Sequence, residues 1–427
     1  PDKYPPPKEY PGLDGNPAIG SVDGSGNQWV FVQNDDIPGL FAFDEKGATR
    51  WRNTELDGNA GPVVADLNGD GKREVVFVSD GGAVVAYDAA TGQRKWAWYA
   101  NANGANPGSI SVSPVVHDLD GDGKKEIFVG ARQAVQGSGD WMFKQHAWYF
   151  LIAHDGKLLW KRQIPNGAPH LYMHGVPYDV NGDGTKDIIA VDWNTIGHKP
   201  GNWEKVGGGN LFALHGKTGE PLWVTALDST WSNKDIAVAD IDDDKQPEIL
   251  VPTQGPMGGD GIGVYNMEGR QEGWFGITAG WQIARGPVVA DLWGDGKLSI
   301  LLPVYRDGAS GCVHQLDVGC REGAIEVWIT GSKGKIVDGN NDHFNADRPN
   351  AATAAINPRA KASNLTSPEP GKFEEWTGNG TDPDGSEGNG TDVREPPTEG
   401  FLGAPAPGVV LAGLGAAGAA LLFRRRR

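Results

Sequence analysis

The stretch VVHDLDGDGKKEIFVG, residues 115–130, sets alternating aspartates between two short apolar runs. Asp118, Asp120 and Asp122 are followed by Gly123, which permits a sharp turn, and then by Glu126. Carboxylates at that spacing, joined by a backbone carbonyl, can converge on one hard cation, and calcium is the expected occupant. Both flanks are short and β-branched, so the loop is predicted to join two strands rather than two helices. Three further copies recur along the chain. One offers Asp66, Asn68, Asp70 and Glu74; the next offers Asp179, Asn181, Asp183 and Asp187. The third offers Asp240, Asp242, Asp244 and Glu248, with Lys245 in the glycine slot. Two eroded copies complete the series: Asp291 and Asp295 persist where Trp293 and Ser299 replace ligands, and near the start only Asp23 remains. A period of about 54 residues in strand-rich units predicts an all-β propeller. Six units are countable, so six four-stranded blades are expected, with seven as the alternative.

Each unit reads as four strands. The second unit shows it best: GPVVADL, REVVFVS, GAVVAYDAATG and QRKWAWYA. The last strand follows a turn and carries a tryptophan, as Trp51, Trp96, Trp160, Trp223 and Trp274 do in successive units. A large flat side chain repeated on the outer strand is expected to pack one blade against the next.

On these features residues 15–339 resemble a run of FG-GAP or VCBS-type propeller repeats, and the tryptophan turns resemble those of quinoprotein (PQQ-type) propellers. The resemblance implies a β-propeller with metal loops on one face. A quinone-dependent dehydrogenase is disfavoured, because the adjacent cysteine pair of many such enzymes is missing. Calcium is expected to pin turns that otherwise gather mutually repelling carboxylates. A calcium that also coordinates a ligand is the sharper alternative.

The chain has 427 residues and a formal charge of −17, which argues against a nucleic-acid partner. It starts at Pro1, which reads as a mature or trimmed form. Propeller ligands commonly sit at the central funnel, near the connections into the innermost strands. Those connections carry His170, His174, Trp231, Asp235, Trp281 and Arg285, either as a ligand rim suited to sugars or as ordinary loop residues. Long inserts at 131–148 and 193–209 add Trp141, Trp193, His198 and Trp203. No nucleophile elbow, zincin helix or phosphate loop is present, so no catalytic residue is assigned.

Cys312 and Cys320 are expected to pair as a loop staple, with a metal site that includes His314 as the alternative. Residues 340–400 are acidic and poor in apolar side chains, and hold the sequons at Asn364, Asn379 and Asn389. They read as an unfolded, glycosylated stalk. Residues 401–427 end in four arginines after a small-residue apolar run, and 401–423 is long enough to span a bilayer as a helix. The segment resembles the PEP-CTERM or PGF-CTERM sorting tails, which implies a sortase-like processing enzyme, a membrane anchor and an archaeal envelope context. The expected whole is an extracellular, surface-tethered binding or adhesion module for a glycan or envelope protein. A polysaccharide-degrading enzyme using the same funnel, or a structural surface-layer component, is the alternative.

Overall fold

The computed structural model describes residues 17–338 apart from 23–25, 35–38, 59, 104–107, 111–112, 135–144, 165–166, 169–174, 195–208, 228–234, 255–259 and 308–320, together with 409–413 and 422–425. Among these residues there is no α-helix, and none is therefore long and apolar enough to cross a membrane. Strands follow one another in antiparallel meanders. The first sheet is β1 (Ala18–Ser21), β2 (Gln28–Asn34), β3 (Gly39–Phe43) and β4 (Thr49–Asn53), in that order. The second repeats it with β5 (Val63–Ala65), β6 (Glu74–Val78), β7 (Ala83–Asp88) and β8 (Arg94–Tyr99). In the third, β9 (Gly108–Ser109) joins β10 (Val115–His117), β11 (Glu126–Ala134), β12 (Gln145–Ile152) and β13 (Leu158–Ile164). The fourth holds β14 (Gly167–Ala168), β15 (Val176–Tyr178), β16 (Asp187–Asn194), β17 (Gly209–Leu214) and β18 (Pro221–Leu227). The fifth begins with β19 (Ala237–Ala239), β20 (Glu248–Gln254), β21 (Asp260–Tyr265) and β22 (Gln271–Gly276). The sixth contains β23 (Gln282–Ile283), β24 (Val288–Ala290), β25 (Ser299–Asp307) and β26 (Arg321–Ile329).

The sheets pack face to face like the blades of a propeller, and this explains the run-on apolar strands. In β6, Val75 and Phe77 enter the core shared with Phe31 and Leu40 of the first sheet. Val76 and Val78, on the opposite face, join Ile127, Val129 and Phe150 of the third. A strand buried on both faces loses the polar alternation of a half-exposed one. The innermost strands β1, β5 and β10 lie side by side, as do β19 and β24, so the sheets fan out from a common axis.

The outer-strand tryptophans lock neighbouring blades. The indole N–H of Trp51 donates to Ala89 O at 2.9 Å, that of Trp96 to His154 O at 2.9 Å, that of Trp160 to Gly216 O at 2.7 Å and that of Trp223 to Met267 O at 2.8 Å. Each ring lies under a glycine of the next blade's turn: Gly92, Gly156, Gly219 or Gly269, all at positive φ. A Cβ at Gly219 would stand 2.5 Å from the Trp160 ring. Glycine is required there twice over, for its conformation and for the close approach.

The fifth joint departs from the expectation. Trp274 folds back over Gly261 and Gly276 of its own sheet, and its buried indole nitrogen has no hydrogen-bond partner among the described residues. The sixth unit, among the described residues, supplies no equivalent turn. After Ile329 the backbone crosses back, with Leu298 N donating to Ser332 O at 2.8 Å and Asp240 N to Lys335 O at 3.0 Å. It then adds β27 (Ile336–Asp338) to β19 of the fifth sheet.

That crossing leaves β26 with an open outer edge. The C-terminal segment, expected as a helix over 401–423, is described as β28 (Val409–Gly413) and β29 (Leu422–Arg425). β28 pairs with β26 from Val327↔Val409 to Gly323↔Gly413. An edge of unpaired N–H and C=O groups accepts a β-branched segment such as Val409–Val410 readily. Cys312, Cys320 and the three sequons lie outside the described residues.

Candidate metal centre

Each complete aspartate loop joins the innermost strand of a sheet to its second strand, as the spacing predicts. The first aspartate organises the turn by accepting amides from the residues that follow. Asp66 receives Gly69 N and Gly71 N, both at 2.8 Å; Asp118 receives Gly121 N at 2.7 Å and Gly123 N at 3.0 Å. Asp179 and Asp240 repeat the arrangement, the latter with Asp243 N at 2.7 Å and Lys245 N at 3.0 Å. The terminal carboxylate closes each loop from the other side. Glu74, Glu126, Asp187 and Glu248 accept the amides of Leu67, Leu119, Val180 and Ile241.

The four loops share one backbone but differ in what their carboxylates do. In the loop at 66, Glu74 also pairs with Lys95, and the Asn68 amide donates to Asp70 at 3.1 Å. In the loop at 179, Asp187 also accepts Gly216 N at 3.0 Å, and Asp183 meets His215 Nε2 at 3.0 Å. Those two loops are largely satisfied by the chain itself. Among the described residues, carboxylate oxygens converge within 4.8 Å at Asp118, Asp120 and Asp122, and again at Asp240, Asp242 and Glu248. Clustered hard oxygen donors suit a divalent calcium ion, so the residues at 118 and 240 fit the expected metal best.

Electrostatics point the same way. Burial, then the negative charges of Asp242, Asp244 and Asp240, push the Glu248 carboxyl up to about 8. Burial also raises Glu126, Glu74 and Asp187 above the usual carboxylate range. Backbone donation from Lys72 and Thr185 instead holds Asp70 and Asp183 below it.

The loop at 240 keeps its shape against a backbone penalty. Asp243 and Lys245 take φ of 74° and 77° where the other loops place glycine, for example Gly121 at 78° and Gly123 at 86°. An L-residue in that region costs roughly 1–2 kcal/mol, partly offset by the entropy glycine loses on folding. Asp243→Gly and Lys245→Gly should therefore each stabilise the chain by about 0.5–1 kcal/mol in urea denaturation. A loss of stability in both would show that their side chains matter more than their backbone.

The eroded loop at 291 retains the turn without the donors. Asp291 accepts Asp295 N at 3.1 Å and Gly296 N at 2.9 Å, while Ser299 in the terminal ligand position is buried and its hydroxyl has no partner among the described residues. Asp23 lies outside the described residues, as do His170, His174 and Trp231 of the proposed funnel rim. Asp235 is half-buried and Arg285 exposed. Trp281 packs on the core between the fifth and sixth sheets, with the Arg306 guanidinium 4.9 Å from its ring centroid. One face of that ring is therefore already committed. Arg306, Lys95 and His215 escaped the sequence reading because each reaches its partner across strands, with no local spacing to mark it.

An FG-GAP-like repeat model matches residues 66–129 and 179–251. Each matched stretch begins at the first aspartate of one loop and runs through the strand after the next, so together they contain all four complete loops. No curated protein matches the sequence. Among solved structures, the chain is similar to quinohemoprotein alcohol dehydrogenase from Comamonas testosteroni at 13% identity and a TM-score of 0.47, covering 76% of this chain and 60% of that one. It is similar to the V. cholerae biofilm matrix protein Bap1 at 13% identity and a TM-score of 0.36, covering 67% and 73%. A third likeness is to the Dos1 propeller at 12% identity and a TM-score of 0.43, covering 72% and 65%. The chain thus spans about 60% of the dehydrogenase, and likenesses this loose carry nothing about activity. What the sequence match establishes is that residues 66–129 and 179–251 are FG-GAP-like repeats.

Proposed function

We propose that this chain is a six-bladed, calcium-stabilised propeller head that binds a glycan or an envelope protein at an outer cell surface. The observation that carries the reading is one aspartate loop recurring at the same place in successive sheets, with carboxylate oxygens converging at 118 and 240. Asp118, Asp120, Asp122 and Glu126 would hold one calcium ion, and Asp240, Asp242, Asp244 and Glu248 another. The remaining assigned donors, Asp66, Asn68, Asp70, Glu74, Asp179, Asn181, Asp183 and Asp187, would bind more weakly, because Lys95, His215 and Gly216 N already serve several of them. Bound calcium supplies the positive charge that these carboxylates lack. A rigid scaffold of this kind leaves its long connections free to specialise in binding. The acidic linker sequence with the sequons Asn364, Asn379 and Asn389 supports a setting at the outer surface, and tethering through the arginine-ended tail, with processing by a sortase-like enzyme, would require β28 to leave the edge of β26.

Calcium should raise the melting temperature by several degrees over excess chelator, since a site at a hundredfold excess over its Kd adds about 2.7 kcal/mol. The gap should widen with pH. Without metal, the raised carboxyl of Glu248 contributes stability that is full below the unfolded value near 4.5 and is lost as pH rises through about 8. Identical melting curves in calcium and chelator at pH 5 and pH 8 would sink the metal reading.

The binding role is tested by presenting the full chain to a glycan array with calcium and with chelator. Calcium-dependent capture without product is the expected result, with loss in Trp231→Ala or Trp281→Ala placing the ligand in the funnel. Release of shortened or unsaturated sugars would instead make the chain a polysaccharide-degrading enzyme.

A further inference from the structure

The second, third, fourth and fifth sheets each offer a turn that receives an indole from the sheet before, and the first sheet carries the same turn. Gly47, between β3 and β4, has a φ of 76°, against 70°, 86°, 66° and 75° at Gly92, Gly156, Gly219 and Gly269. Its amide donates to Asp44 O at 2.9 Å, as those of Gly156 and Gly269 donate to Ala153 O and Asn266 O at 2.9 Å. In those two turns the residue two places before the glycine accepts the indole N–H, and here that place belongs to Glu45. A Cβ at any of the four occupied glycines would stand 2.5 to 3.0 Å from a tryptophan ring; at Gly47 it meets no described residue within 4 Å.

The face of the first sheet turned away from the second is apolar as well. Register sets Ile19, Val30 and Phe43 in one row, and Phe41 beside Arg52 in another. Ile19 is 44% exposed and Val30, Phe41 and Phe43 are half-buried, whereas Ala18, Phe31, Leu40 and Ala42 on the opposite face are at most 1% exposed. No core cluster of described residues joins this face to the sixth sheet. A receiving turn next to half-open apolar surface is one side of a joint whose other side is an indole.

The repeat indicates where that indole comes from. In the four tryptophan joints it is supplied by the preceding unit, and around an axis the unit preceding the first sheet is the sixth. Trp328 of the sixth sheet is already buried against Phe275, with ring centroids 5.3 Å apart. Beyond it the sequence holds one further tryptophan, Trp376, in KFEEWTG at 372–378. Phe373 and Trp376 are the only aromatic residues between 345 and 400, and Glu374 and Glu375 separate them. Those acids complement Arg52, whose guanidinium lies 4.9 Å from the Phe41 ring centroid. Trp376 is 38 residues from Asp338 and 33 from Val409, so either tether can extend to roughly 100 Å, well beyond the width of a domain of this size.

We propose that residues 372–377 of this chain dock on the outer face of the first sheet, with the Trp376 ring over Gly47, its N–H donating to Glu45 O, and Glu374 or Glu375 facing Arg52. The acidic linker then leaves the head from a fixed point beside the first sheet. Neither bound calcium nor a glycan is needed for this contact, so its test stands apart from theirs.

Urea denaturation of the full chain, followed by circular dichroism, tests it with Gly47→Asn, Trp376→Ala and the double variant. Asparagine tolerates positive φ, so Gly47→Asn costs little under open space and much under a ring. Each single change should lower the folding equilibrium constant about tenfold or more, and each should lower it less than about threefold in the background of the other. An unchanged constant in Trp376→Ala, or full addition of the two losses, overturns the proposal. Sedimentation of the same proteins tests the rival occupant: a dimer that Gly47→Asn dissociates and Trp376→Ala leaves intact would give the face to a second copy, and would overturn it too. Should Gly47→Asn fail to fold, a fluorescein-labelled peptide of residues 370–380 decides. It should bind the Trp376→Ala chain saturably and the parent about tenfold more weakly, because the parent's own segment competes. Equal binding to both, or binding to neither, overturns the proposal.

Discussion

Trp160→Ala should destabilise the chain by about 4 kcal/mol, whereas Trp274→Ala should cost only about 2 kcal/mol. Both are outer-strand tryptophans at equivalent places in their repeats, so residue type alone forecasts equal losses. Trp160 is 8% exposed, donates to Gly216 O of the next blade at 2.7 Å, and packs under Gly219 and near Phe128. Its removal opens a cavity between two blades and strands a carbonyl. Trp274 is only half-buried, has no partner for its nitrogen among the described residues and rests on its own sheet. Urea denaturation of the two variants measures the difference directly, and equal losses would mean that the joint to the following turn adds little.

The second large effect is expected at Asp192, a fully buried carboxyl between the third and fourth sheets. Asn210 donates to its Oδ1 from the backbone at 2.9 Å and from the side chain at 2.8 Å, and the Tyr149 hydroxyl donates to Oδ2 at 3.3 Å. Burial outweighs those donors and pushes the carboxyl up to about 7. Because the folded value lies above the unfolded one of 3.8, the stability this group contributes is complete below about pH 4 and is lost as pH rises to about 7. Three units of displacement correspond to about 4 kcal/mol at most. Asp192→Asn preserves the shape and can still accept from Asn210, so it should stabilise the chain by about 2–4 kcal/mol at pH 8 and leave it nearly unchanged at pH 4. Denaturation at the two pH values reads this out. A gain of the same size at both would show that charge is not the cause.

Much of the fold was legible because its determinants are local. The amides that Asp66, Asp118, Asp179 and Asp240 gather come from residues three and five places on, so the loop is written in one short stretch. Strand and turn alternation is equally short-range, which is why the four strands of the second unit stand where the sequence places them. The tryptophans were legible as inter-blade contacts through repetition, since a costly side chain recurring at one position implies a recurring partner. Which carboxylates remain open to a metal was not legible. Glu74 and Glu126 occupy the same loop position, yet Lys95 from the fourth strand pairs with the former.

From the residues alone follow the all-β repeat, the placing of the aspartate loops between first and second strands, and four of the five tryptophan joints. Each depends on residues within one unit or on a period that the chain displays openly. Tertiary packing alone returns the segment after Ile329 to β19, so leaves Trp274 without a receiving turn, and sets Tyr149 of the third sheet against Asp192 of the fourth. Those outcomes depend on how finished sheets pack around their axis, and packing brings together side chains whose separation in the chain carries no signal of their meeting.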